Sequence, residues 1–128
     1  EWENAARGGH KSTSDYKYAG SNSIETVAWY SSNSNSKTLE VGQKAPNELG
    51  IYDMSGNVWE WCQDYWDSDY YDKSPRENPV NLNSASYRVK RSGSWGYSAK
   101  FCRVAYRRSH DPDSGYNYLG FRIARTRD

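Results

Sequence analysis

Aliphatic residues are scarce in this 128-residue sequence, and its apolar material is dominated by six Trp and twelve Tyr. A core built this way leans on aromatic packing, and many of the rings must lie at surfaces, where a flat body with a polar tip favours contacts. No apolar run approaches the roughly twenty residues that a membrane-spanning helix requires, and nothing resembles a signal peptide. Cysteine is nearly absent. Cys62 and Cys102 are too few for a disulfide scaffold and lack the paired C-x-x-C spacing of a zinc site. They either bridge or stay free, because separation along the chain sets no distance in space. Strong charge of one sign is missing too: the net charge is +1, which gives no reason to expect a nucleic-acid or membrane partner.

The length suits one domain of ordinary size, and no linker divides it. Its charge is unevenly spread. Residues 1–87 hold seven Lys or Arg against thirteen Asp or Glu, whereas residues 88–128 hold ten, from Arg88 to Arg127, against Asp111, Asp113 and Asp128. Pairing between the two halves is the expected use. Glu1 to Gly9 reads as the last turns of a helix stopped by glycine, the pattern expected where the rest of a domain, and any export signal, lies upstream. Residues 10–46 are Ser-, Asn- and Gly-rich loop interrupted by Val27-Ala28-Trp29-Tyr30. After Gly56, alternation puts Val58 and Glu60 on one face and Trp59 and Trp61 on the other, which predicts a short strand. Tyr87 to Arg91 predicts a second. Arg103 to Arg107 and Leu119 to Arg125 both alternate with period two and predict the central strands of a small antiparallel sheet, with 108–118 as a long loop between them. Long ordered loops are usually functional.

Glu1-Trp2-Glu3-Asn4-Ala5-Ala6-Arg7-Gly8-Gly9, Asn47 to Trp61 (NELGIYDMSGNVWEW), Arg91-Ser92-Gly93-Ser94-Trp95 and Gly120-Phe121-Arg122 together resemble the formylglycine-generating-enzyme, or sulfatase-modifying-factor, family. The resemblance implies an α+β, C-type-lectin-like fold with little regular secondary structure. Residues 1–128 would form the C-terminal portion of one such domain. It also implies a test of catalysis. Catalytic members carry two cysteines five positions apart after the Gly-Ser-aromatic motif, which bind copper; here Cys102 stands at the second position and Tyr97 at the first. One thiol supplies neither a dithiolate site nor a redox pair. Iron-dependent relatives need several His ligands, and this chain has only His10 and His110. The resemblance therefore points away from an enzyme and from a redox cofactor, with a metal-dependent oxidase as the alternative.

Residues 91–122 look like the variable region of the family's binding branch, the variable proteins of diversity-generating retroelements. There, adenines in Asn-type codons are randomised on a fixed framework, and the products never include Trp, Met, Gln or Glu. None of these occurs between Gly96 and Tyr118, although Trp and Glu are common earlier. The positions this resemblance assigns to ligand contact are Gly96, Tyr97, Ser98, Phe101 and Tyr106, then Arg108, Ser109, His110 and Asp111, then Ser114, Tyr116, Asn117 and Tyr118. Trp95, Cys102, Val104, Leu119 and Phe121 would be framework. Such a face works as an antibody paratope does: Tyr gives area at low rotamer cost, while Ser, Gly and Asn adapt their hydrogen bonds. The expected partner is a protein or other surface ligand, together with an N-terminal portion of the same protein, and the expected location is the cell surface or the extracellular space.

Asp53, Gly56, Val58 and Glu60 fall at the spacing where the family places a calcium site, and oxygen ligands about a glycine turn suit a structural Ca²⁺ or Mg²⁺. The alternative is that Asp53 caps a turn and Glu60 pairs with an arginine such as Arg122. His110 lacks an evident nucleophile to serve, and surface contact is the plainer reading. Arg103 and Arg107 would either hold phosphate or pair with the acidic half. Tyr65, Trp66, Tyr70 and Tyr71 would either line a groove or pack as a loop on the core.

Overall fold

A computed structural model describes residues 1–125; Arg127 and Asp128, counted in the charge of the second half, lie outside them. The chain opens with α1 (Trp2–Ala6) and a 3-10 turn (Gly9–Lys11), then α2 (Ile24–Val27), β1 (Trp59–Tyr65) and α3 (Tyr70–Lys73). There follow β2 (Arg88–Arg91), a second 3-10 turn (Ala99–Cys102), β3 (Arg108–His110) and the two-residue β4 (Leu119–Gly120). Gly8 ends the first helical stretch at φ 87, as the opening pattern predicts.

The strands form one sheet in the order β3-β2-β1-β4. β2 pairs antiparallel with β1 and with β3, but β4 runs parallel to β1, so the sheet is mixed and not wholly antiparallel. Its central strands are β1 and β2. Arg103 to Arg107, expected to be central, is turn and irregular backbone; β3 starts only at Arg108 and is an edge strand. The second expected central strand shrinks to Leu119–Gly120 on the opposite edge. Alternation in 103–107 has another cause: Val104 is buried against Ala6, Ala19 and Met54, and its N–H donates to the Lys17 carbonyl. Phe121, expected to be framework, leaves the sheet after β4 and is 75% exposed.

Two small clusters make the core, Tyr18, Val27, Ala28, Tyr30 and Cys102 in one and Ala6, Ala19, Met54 and Val104 in the other. So little aliphatic bulk cannot hold the long loops alone, and buried polar side chains fasten them to backbone. Ser55 Oγ donates to the Cys102 carbonyl and accepts from the Ala19 N–H. Ser34 Oγ donates to the Trp95 carbonyl at 2.8 Å, and Asn57 makes a two-way clasp on the Leu39 backbone. Gly56 sits at φ 79, where a Cβ would fall on the Trp29 carbonyl; that carbonyl accepts the Asn57 N–H at 2.7 Å. Only glycine permits that approach.

The sheet's two faces differ in purpose. In register, Glu60 lies opposite Arg91 and Gly120, while Trp61 lies opposite Lys90, and Lys90 opposite Arg108. One face therefore shows Glu60 and Arg91, and α1 closes onto it. Trp2 Nε1 donates to Glu60 Oε2 at 2.7 Å, and Arg91 pairs with Glu3 at 3.0 Å. Arg122 completes this arrangement by gripping Glu60 with Nε at 2.8 Å and Nη2 at 2.7 Å. These contacts join the basic and acidic halves, as their charges predict. The other face shows Trp59, Trp61, Lys90, Arg108 and His110.

The Glu60 side chain is 6% exposed and that of Arg122 33%. Losing the arginine strands a buried carboxylate, whereas losing the carboxylate's charge leaves an arginine that can reach water. Arg122→Ala is therefore expected to lower stability by about 2–4 kcal/mol, since water enters part of the vacated space. Glu60→Gln is expected to cost less, about 1–2 kcal/mol. Urea unfolding of the two variants checks the order; the reverse order would show that burial of Glu60 is not what the arginine answers.

Candidate functional site

An open groove of about 390 Å³ lies on the Trp59 face, a size within the ~300–1,000 Å³ range of small-ligand sites. Tyr97, Arg108, Ser109, His110, Asp111, Ser114, Tyr116 and Tyr118 line it, together with Tyr87 and Lys90. The fold brings these together by simple means. β3 carries Arg108 to His110 beside β2, and Trp59 N–H donates to the Tyr118 carbonyl at 2.8 Å, drawing the end of the loop back to β1.

The remaining sequence-predicted contact residues divide in two. Phe101 and Tyr106 are half-buried beneath the groove and wedge against Trp59, with ring centroids 6.4 and 6.1 Å from it and 5.1 Å from each other. They support the face from below. Gly96, Ser98 and Asn117 are exposed but lie outside the groove lining. Tyr97 bridges the levels, meeting Trp59 edge-on at 5.3 Å and Tyr118 at 5.7 Å. Tyr116 and Tyr118 stack nearly parallel, 7° apart with centroids at 5.0 Å. Such contacts add roughly 0.5–1.5 kcal/mol each beyond area burial, so the rings of the aromatic wall support one another.

Sequence reasoning missed Tyr87 and Lys90. Lys90 is 3% exposed, with Nζ 4.9 Å above the Trp59 ring and 3.3 Å from His110 Nδ1. Burial pulls its ammonium down to about 8, and neighbouring Arg108 adds to the shift. His110 is lowered for the same first reason, burial, with Lys90 second. If the ammonium donates to Nδ1, the ring proton sits on Nε2, which is buried without a partner among the described residues.

Of the proposed cation ligands, Glu60 is engaged by protein donors. Both Glu60 oxygens are occupied by Arg122, and Trp2 adds a third donor. Arg122 also donates to the Asp53 carbonyl at 3.2 Å, placing a guanidinium where a cation would need room. Asp53 Oδ2 accepts the Gly42 N–H at 2.8 Å, and its Oδ1 is buried without a hydrogen bond among the described residues. The Gly56 carbonyl accepts from Ser92 Oγ at 3.0 Å, and Val58 is half-buried beside Gly120. The arginine pairing left open by the sequence is the arrangement found.

Arg107 is engaged within the protein. It lies 4.5 Å from the centroids of both Trp66 and Tyr71 and donates to the Asp67 carbonyl, which ties two rings of that aromatic cluster together, Tyr71 staying 59% exposed. Arg103 is exposed and donates to the Lys100 carbonyl. Cys62 and Cys102 are both free. Burial pushes each thiol up to about 12. Cys102 is wholly buried, and a Cβ on Gly93 would lie 2.7 Å from its sulfur.

The model of the sulfatase-modifying factor enzyme 1-like domain matches residues 1–127. The chain belongs to this family. Its relatives include the formylglycine-generating enzyme of Streptomyces coelicolor, 34% identical over 100% of this chain and 45% of the relative. The chaperone protein LppX of Paenibacillus barcinonensis is 35% identical over 99% of this chain and 47% of the relative. Among solved structures, Treponema denticola variable protein 1 superposes with a TM-score of 0.85 at 42% identity, covering 94% of this chain and 43% of that one. The chain thus spans less than half the length of these relatives.

Two thiols held near pKa 12 are almost wholly protonated at pH 8, and only the thiolate attacks. In the folded protein, neither Cys62 nor Cys102 is expected to react with a disulfide reagent at pH 8 over an hour, whereas both react in denaturant. Fast labelling of Cys102 in the native state would contradict its burial.

Proposed function

We propose that this chain is a non-enzymatic binding protein, displayed at the cell surface, whose ligand contacts come from a hypervariable face diversified by a retroelement. The observation that carries this reading is the groove. Most of its lining comes from 97–118, the stretch whose composition matches the products of adenine randomisation, and its floor and wall are tyrosines already packed edge-on and stacked. A preformed aromatic wall lowers the ordering cost of binding. The likeness to Treponema denticola variable protein 1 supports the same reading. With a diversified face the ligand differs from variant to variant, so no single ligand belongs to the fold.

The alternative is a metal-dependent oxidase, favoured by the formylglycine-generating enzymes at 34% and 40% identity. Against it stand Tyr97 at the position of the first thiol and the burial of Cys102.

Sequencing the coding region across many cells of the source population separates the two. Substitutions confined to the thirteen positions named above and to adenine-derived codons are the expected result. Invariant codons there would end the diversification reading. Copper uptake with oxygen consumption that is lost in Cys102→Ala would establish the oxidase instead.

A further inference from the structure

We propose that Lys90 is a fixed anion anchor in the groove, so that the face takes ligands carrying a carboxylate on a planar aromatic body. This rests on the groove being the ligand-binding site. Lys90 belongs to β2, outside the stretch 96–118, so diversification of the loop leaves it in place beneath every variant.

The case begins with an imbalance. Lysine is almost never fully buried unless paired, and an ammonium taken from water without a counter-charge is costly. Lys90 lines the groove at 3% exposure. Among the described residues no carboxylate lies within ion-pair distance of its Nζ, every such pair being made by other cations. The rings of Trp59 and Tyr118, 4.9 and 5.8 Å away, offset part of the cost. An entering anion would supply the missing charge.

The other charged and titratable groups around Nζ point the same way. From β3, Arg108 sits directly across in register and His110 presents Nδ1 at 3.3 Å. The acid of the groove is Asp111, exposed at the rim with Oδ1 accepting the Asp113 N–H at 3.0 Å. The phenols of Tyr87, Tyr97, Tyr116 and Tyr118 are the remaining titratable groups of the lining. Lys90 and Arg108 against Asp111 leave the lining one net positive charge, which matches a singly charged carboxylate. The parallel Tyr116 and Tyr118 rings offer a planar ligand a wall.

The pH response follows from the lowered ammonium, at about 8. Below that value Lys90 is a cation and the contact exists; above it the charge is lost. A bound carboxylate favours the cation, so the loss in the complex is displaced upward.

The test titrates the full-length protein with benzoate, benzamide and benzylamine, read by ligand-observed NMR. At pH 7 benzoate is expected to bind about tenfold tighter than the other two, the scale of one charge-assisted contact. Lys90→Met is expected to erase that advantage with a Tm no lower than the parent's, since methionine removes an unpaired buried charge. Arg108→Met is expected to keep most of it. Raising the pH from 7 to 9.5 should shrink the benzoate advantage in the parent and leave benzamide unchanged. Equal binding of benzoate and benzamide would overturn the anchor while leaving the groove a binding site. So would an advantage that survives Lys90→Met, or a Tm that falls in that variant, which would make the lysine a packing element. Failure of all three probes to bind would overturn the anchor, while the binding-face reading stands or falls on the codon survey.

Discussion

The carboxylate of Glu60 organises the back of this molecule, and the front depends on it. Three donors converge there: Trp2 from α1 and two nitrogens of Arg122 from the segment after β4. Without that convergence β4 has little to hold it, because it is two residues long and shares only two register pairs with β1, whereas α1 keeps the Glu3–Arg91 pair and Ala6 in the core. β4 in turn fixes where the loop 111–118 ends, and the Tyr118 carbonyl is bound by the N–H of Trp59, the residue beside Glu60 in the same strand. Alternation along β1 thus puts an ion pair on one face and an aromatic floor on the other. A buried pair of this kind adds little net stability over an apolar substitute. Its use here is positional, fastening a terminal segment that the aliphatic-poor core cannot hold by packing.

Much of this was legible in the residues. The period-two pattern at Val58 to Trp61 predicts both the strand and its faces, Glu1 to Gly9 predicts a helix ended by glycine, and the opposed charges of the halves anticipate the Glu60–Arg122 and Glu3–Arg91 pairs. The misses share one physical origin. In a chain this rich in loops, burial is decided by tertiary contacts that sequence periodicity does not encode. Val104 and Tyr106 alternate with polar neighbours because one enters the core and the other the aromatic cluster from a turn, and no strand is needed. Lys90 was invisible for the converse reason: a lysine between Val89 and Arg91 reads as the solvent side of a strand, yet the loop from 97 to 118 folds over that side.

That covering loop also decides how the family's chemistry is to be weighed in this chain. Tyr97 stands where a thiol would stand, and its ring is one of the load-carrying contacts of the face, touching Trp59, Phe101 and Tyr118. Cys102 lies below, closed off by Gly93 and bound through its carbonyl to Ser55. The same framework that in a catalyst would present two sulfurs presents here one buried thiol and a stack of rings. Function follows the site more than the fold, and the proposed binding role rests on this stack of rings.

On the binding role proposed above, the framework and the loop would divide the work of recognition unequally. Residues that vary in a paratope contribute shape and hydrogen bonds that change with each variant, and tyrosine does this at low entropic cost. What they cannot supply reliably is a buried charge, since a cation created by random substitution in a loop would point to water and be screened. Lys90 avoids that limit because β1 and β3 flank it in the sheet and Trp59 closes one side. Its stem is buried by side chains packed on the sheet, and the cost of desolvating the ammonium is met partly by the ring faces of Trp59 and Tyr118. A strand position is therefore the place on this fold where a charge would stay strong if the surface above it were rewritten.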